Sequence, residues 1–96
     1  MAYLLLGFLQ RSPNKIRKEL RAAARADSLI VFFESPYRVR KTLELAAEVL
    51  GEDCPCFIGR EMTKKFEEFL SGTLEEVAMN LKNRETLGEF TVMIKP

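Results

Sequence analysis

The chain contains no histidine among its 96 residues. Without an imidazole there is no histidine general base, no Ser-His-Asp triad, no papain-like Cys-His pair and no histidine-ligated metal. Cysteine is nearly as scarce: Cys54 and Cys56 flank Pro55. That spacing is not Cys-x-x-Cys, and two cysteines cannot fill a structural zinc site. On an extended segment the two side chains fall on one face, and buried free thiols in a reducing cytoplasm are the expected state. There is no Walker A sequence, no Gly-x-Gly-x-x-Gly and no cluster of metal ligands, so no metal is expected. No stretch approaches the roughly 20 apolar residues of a membrane-spanning helix. The apolar opening lacks the basic flank and small-residue cleavage site of a secretory leader, and reads as a strand.

What is present describes one globular domain. The composition is 47% hydrophobic and 30% charged, which separates the chain from disordered sequences. Fifteen Lys and Arg stand against fourteen Asp and Glu, a net charge of +1. The charge is unevenly spread. Residues 11–41 carry nine basic side chains against three acidic ones, whereas residues 42–96 carry six against eleven. If the fold gathers the basic segment on one face, that face presents a positive field.

Residues 3–9 form a continuous apolar run. Ser12-Pro13 then supplies an N-cap and a proline suited to the first helical position. Ile16, Leu20, Ala23 and Ala24 recur at helical spacing to about residue 26, with Lys15, Arg17, Lys18, Arg21 and Arg25 on the other face. Residues 28–33 are β-branched and aromatic without alternation, which predicts a strand covered on both faces. Ser35-Pro36 repeats the cap signal for a helix over residues 37–50, with Val39, Leu43, Ala46 and Leu50 as its stripe and Gly51 as its C-cap. Residues 56–61 read as a third strand and 66–70 as a short fourth. Thr73-Leu74-Glu75-Glu76 has the form of a capping box opening a third helix. Residues 89–94 make a last strand, with Phe90, Val92 and Ile94 on one face. The expected fold is α/β: a mixed, mostly parallel five-stranded sheet with about three helices.

Ligands of open α/β sheets bind beyond the carboxyl ends of the strands. Three such ends are polar here: Gln10-Arg11, residues 34–38 and residues 60–65. At the second, an apolar strand stops at Glu34 and a helix N-terminus follows, offering free amides. By default this turn is structural, with Ser35 only a helix cap and Glu34 only an ion-pair partner of Arg38 or Arg60. The basic helix face is by default a solvated face, and alternatively a phosphate track that would bind nucleic acid in a salt-sensitive way.

The same polar ends resemble a known family. Gly7-Phe8-Leu9-Gln10-Arg11 resembles the Gly-Phe-Leu-Pro-Arg that begins the second domain of the ribosomal RNA small-subunit methyltransferase I family. Residues 32–38, Phe-Phe-Glu-Ser-Pro-Tyr-Arg, resemble its Phe-Tyr-Glu-Ser-Pro-His-Arg. Residues 59–68 resemble its Ala-Arg-Glu-Leu-Thr-Lys-x-x-Glu-Glu, continued by Ser71-Gly72-Thr73-Leu74, and Leu87-Gly88-Glu89-Phe90 resembles its Lys-Gly-Glu-Phe. Gln10 in place of proline and Tyr37 in place of histidine are departures. Nothing here resembles the N-terminal half of that family, with its glycine-rich loop and Asp-x-Gly-x-Pro segment. Residues 1–96 are accordingly expected to be a single C-terminal domain without the cofactor-loop domain, and silent in catalysis alone.

The family belongs to the tetrapyrrole methylase superfamily, whose members bind S-adenosylmethionine between two α/β domains. The resemblance implies 2′-O-methylation of a cytidine ribose in 16S ribosomal RNA by a cytoplasmic homodimer. It leaves open a tetrapyrrole substrate, or a non-enzymatic RNA-binding or dimerisation module. Under the resemblance, Glu34, Glu61 and Lys64 are the candidate catalytic groups, because a ribose hydroxyl needs a base. Glu34, Ser35 and Pro36 are the candidate cofactor contacts. Arg11, Lys15, Arg17, Lys18, Arg38 and Arg60 are candidates for RNA phosphates, to which guanidinium forks are suited.

Overall fold

Eight elements follow one another in the computed structural model: β1 (Tyr3–Phe8), α1 (Pro13–Ala24), β2 (Leu29–Glu34), α2 (Val39–Leu50), β3 (Pro55–Glu61), β4 (Glu67–Thr73), α3 (Leu74–Leu81) and β5 (Glu89–Ile94). The structure describes residues 2–61, 67–82 and 88–96, and of Glu61 the backbone alone. Lys64, with residues 62–66, lies outside the described residues, as does Leu87.

Local chemistry sets most of the boundaries. At α1 the Ser12 hydroxyl accepts from the Lys15 amide at 3.3 Å, and Pro13 occupies the first turn. At α3 the capping box is complete: the Glu76 amide donates to Thr73 Oγ1 at 3.1 Å, and the Thr73 amide donates to Glu76 Oε1 at 2.9 Å. Helix α2 starts two residues later than the Ser35-Pro36 signal predicts, and its N-cap position, Arg38, makes no side-chain cap bond. The Ser35 carbonyl instead accepts from the amides of Arg38 and Val39 in a turn before the helix. The weakly predicted fourth strand is longer than expected and pairs with β3 from Pro55↔Thr73 to Glu61↔Glu67.

The sheet order is β1-β2-β5-β3-β4. β1 and β2 are parallel; the other three pairs are antiparallel. The five strands and three helices match the expected mixed α/β class, but the sheet is mostly antiparallel rather than mostly parallel. The physical reason is β5, which enters between β2 and β3 and runs against both. The strands joined through α1 and α2 still share one direction, but β2 and β3 do not bond to each other.

One face of the sheet carries the core. Ile30 and Phe32 of β2, Phe90, Val92 and Ile94 of β5, and Cys56 and Ile58 of β3 pack with Ile16 and Leu20 of α1, Val39 and Leu43 of α2, and Leu74 and Val77 of α3. The opposite face is open: Tyr3, Leu5, Phe8, Phe57 and Phe69 are exposed. This corrects the expectation that β2 is covered on both faces, since Leu29, Val31 and Phe33 alternate with its buried residues and remain partly accessible. The cause is topological. The path from β1 to β2 to β3 steps one way across the sheet, and right-handed crossovers then lay their helices on the same side.

Cys56 is in the core, and Cys54, only half-buried, donates to the Leu50 carbonyl at 3.0 Å; both thiols are free. Burial pushes the Cys56 thiol up to about 12, with the neighbouring Cys54 adding to the shift. Burial, and then Asp53, also raises the Cys54 thiol. A raised folded-state value means that Cys56 supports the fold fully below its ordinary value of 9.0 and loses that support as pH rises toward about 12. Unfolding free energy measured from pH 8 to 11 by urea titration is therefore expected to fall more steeply in the parent chain than in Cys56→Ala. At neutral pH, Thr73→Ala is expected to cost about 1 kcal/mol in the same assay through loss of the cap.

Candidate functional site at the polar end of the sheet

Because β1, β2 and β3 run in one direction, their carboxyl ends meet at one end of the sheet, joined there by the amino ends of β4 and β5. The three polar segments singled out from sequence thus converge. Arg11 follows β1, Glu34 to Arg38 follow β2, and Arg60 with Glu61 close β3.

Glu34 is the centre of this end. Its alternation with Ile30 and Phe32 turns it toward the helices, where it is 4% exposed. A carboxylate taken from water is costly unless its oxygens find donors. Here Oε1 accepts from the Ser35 amide at 2.8 Å and from Arg38 Nε at 3.3 Å. Oε2 accepts from Thr42 Oγ1 at 2.7 Å. The Glu34 side chain thus closes the turn before α2 rather than capping the helix. Ser35 Oγ is itself buried, with no hydrogen-bond partner among the described residues.

Thr42, 1% exposed, is the member of this site that sequence reasoning misses. A signal for it exists: it lies three residues beyond Val39 on the apolar stripe of α2, where a hydroxyl needs a partner. Tyr37, which stands where the family pattern has histidine, is 91% exposed and projects its ring into solvent.

The six candidate phosphate contacts divide into two groups. Arg17 is held by Glu48 at 2.6 Å and Asn14 at 2.8 Å, Arg38 by Glu34, and Arg60 by Glu68 at 3.4 Å. Arg11, Lys15 and Lys18 are exposed and pair with no carboxylate among the described residues. Lys15 and Lys18 line a shallow hollow with Gln10, whose amide donates to Glu19 Oε1 at 3.3 Å. The free cations thus lie beside the end of β1, on the same side of the molecule as the Glu34 turn. Of the three candidate catalytic groups, Glu34 is described in full, Glu61 by its backbone, and Lys64 lies outside the described residues.

A fold of this kind is found in methyltransferases. The chain superposes on a solved structure of the methyltransferase CobJ with a TM-score of 0.67 at 17% identity, covering 98% of this chain and 41% of that one. It superposes on cobalt precorrin-4 methyltransferase, CbiF, with a TM-score of 0.68 at 13% identity, covering 98% of this chain and 40% of that one.

Sequence comparison narrows the relationship. The chain is 38% identical to ribosomal RNA small subunit methyltransferase I of Bacillus subtilis over 93 residues, and 39% identical to the protein of that name from Thermotoga maritima over 92. These alignments span 97% and 96% of this chain but only 32% and 40% of the relatives. No family model matches. The resemblance to the ribosomal RNA small subunit methyltransferase I family, carried by four short segments, thus extends over nearly every residue of the chain.

The Glu34 arrangement yields a stability test. Thr42→Val leaves Oε2 buried without its donor and is expected to cost about 1.5–3 kcal/mol in chemical denaturation. Thr42→Ser, which keeps the hydroxyl, is expected to recover most of that loss.

Proposed function

We propose that this chain is the C-terminal domain of an S-adenosylmethionine-dependent methyltransferase that modifies a cytidine ribose 2′-oxygen of 16S ribosomal RNA. An N-terminal domain carrying the cofactor loop would complete the site, in a cytoplasmic homodimer. The observation that carries this reading is the convergence of three family-like segments at one end of the sheet, beside the unpaired cations Arg11, Lys15 and Lys18.

S-adenosylmethionine supplies an electrophilic methyl group, and no metal is needed for its transfer to oxygen. The turn after β2 fits such a ligand at one atom: the buried hydroxyl of Ser35 lacks a hydrogen-bond partner among the described residues. Pro36 and Glu34 shape that turn. Glu34, already hydrogen-bonded at both oxygens, positions the segment rather than taking a proton. Glu61 and Lys64 are left as the candidates to accept the proton of the ribose hydroxyl. Arg11, Lys15 and Lys18 hold phosphates, with Arg17, Arg38 and Arg60 nearby but already paired.

The name of one solved neighbour, cobalt precorrin-4 methyltransferase, favours a second reading, methylation of a tetrapyrrole. The full-length protein separates the two: labelled methyl from S-adenosylmethionine is expected to enter 30S subunits and not a precorrin or porphyrin. The 96-residue chain alone is expected to transfer none. The double variant Lys15→Gln/Lys18→Gln of the full-length protein is expected to lower the slope of log affinity against log salt by about 2 in RNA binding, about one for each phosphate left unneutralised.

A further inference from the structure

The open face of the sheet holds a feature that the phosphate contacts and the Glu34 turn leave unused. Phe57 of β3 and Phe69 of β4 stack with ring centroids 5.7 Å apart and planes 24° from parallel. Phe69 is 59% exposed, although it lies in a strand rather than a loop. The ring lies over the backbone of β3 because Gly59 stands opposite it. A Cβ at Gly59 would come within 3.3 Å of Phe69 Cδ1 and Cε1. The two rings form part of the wall of an open cleft of about 510 Å³, with Met93 and Thr91 also lining it.

The charged end of this cleft carries two carboxylates and one guanidinium, that of Arg60, which is paired with Glu68 at 3.4 Å. Glu67 and Glu89 line it, and in the sheet register both face the same residue of β3, Glu61. Flat apolar rings beside hydrogen-bond acceptors match one ligand chemistry well. A nucleobase stacks on aromatic faces, and its exocyclic amine donates to a carboxylate. With Arg60 paired to Glu68, the cleft offers a phosphate no free cation among its lining residues, whereas the surface at the end of β1 does.

We infer that this cleft is a subsite for an amino-bearing nucleobase of the RNA, stacked on Phe57 and Phe69 and read by Glu89 or Glu67. This rests on the RNA reading above and adds to it where a base is held. An unpaired base splayed out of its helix fits the cleft, since bases within a duplex show no free face.

The test is an amide-resolved NMR titration of the chain with cytidine 5′-monophosphate, uridine 5′-monophosphate and ribose 5-phosphate. The cytidine nucleotide is expected to shift the amides of Phe57, Gly59, Phe69 and Thr91, and ribose 5-phosphate to leave them in place. Phe69→Leu, which keeps an apolar side chain in the strand, is expected to weaken cytidine binding about tenfold. Gly59→Ala, which crowds the ring without removing it, is expected to weaken it as well. Glu89→Gln is expected to narrow the preference for cytidine over uridine. Equal shifts with ribose 5-phosphate or unchanged affinity in Phe69→Leu would each overturn the inference. So would cleft shifts that follow protein concentration without ligand, which would mean that a second copy covers the face. A separate titration with a single-stranded RNA reports on the RNA reading itself. Salt-sensitive shifts along α1 with a silent cleft reject the subsite and leave the RNA reading standing.

Discussion

Three donors converge on the Glu34 carboxylate where β2 gives way to α2, and the polar end of the molecule depends on that convergence. The Ser35 amide ties the carboxylate to the turn, Thr42 to the first turn of the helix, and Arg38 to the surface. A buried carboxylate is unfavourable unless so satisfied, so these bonds specify one geometry for residues 34–42. Strand β2, helix α2 and the intervening turn are thereby locked as a unit. The direction of β2 in turn places this unit beside the ends of β1 and β3.

Much of this is legible in the chain. The three helices announce themselves through stripes at helical spacing and through Ser12-Pro13 and Thr73–Glu76, because caps are local chemistry and need no tertiary partner. The strands are legible for the same reason, even β4, though its length is not. Pairing is less accessible. Nothing in residues 89–94 says that they insert between β2 and β3, since the choice of neighbour is made by the whole sheet. The apolar run of β2 suggests two covered faces, whereas this chain supplies helices for one. At the site, residue types and positions are readable but their bonding is not. Ser35 looks like a cap, but the helix begins later, at Val39; the Ser35 carbonyl takes the Val39 amide, while Glu34 meets the Ser35 amide, Thr42 and Arg38.

Charge and shape divide the molecule into regions of different chemistry. Arg11, Lys15 and Lys18 lie near the end of β1, while Glu89 opens the central strand and Glu67 the far edge strand at the same end of the sheet. The apolar face between them carries exposed rings, including Phe8, which meets Phe33 with centroids 5.6 Å apart. Under the proposed RNA reading, phosphates and bases would meet different parts of this surface.

The central place of β5 has a consequence for how the chain acquires its structure. β1 with β2 is one ribbon and β3 with β4 another, and only the last strand hydrogen-bonds to both. During synthesis the two ribbons emerge first, each with an edge lacking its neighbour. The sheet becomes continuous only when residues 89–94 have left the ribosome. Pairings this distant along the chain slow folding and prolong the exposure of open edges. The interval before β5 arrives is therefore one in which open strand edges are exposed to aggregation, and removing residues 89–94 would leave two half-sheets with no strand between them.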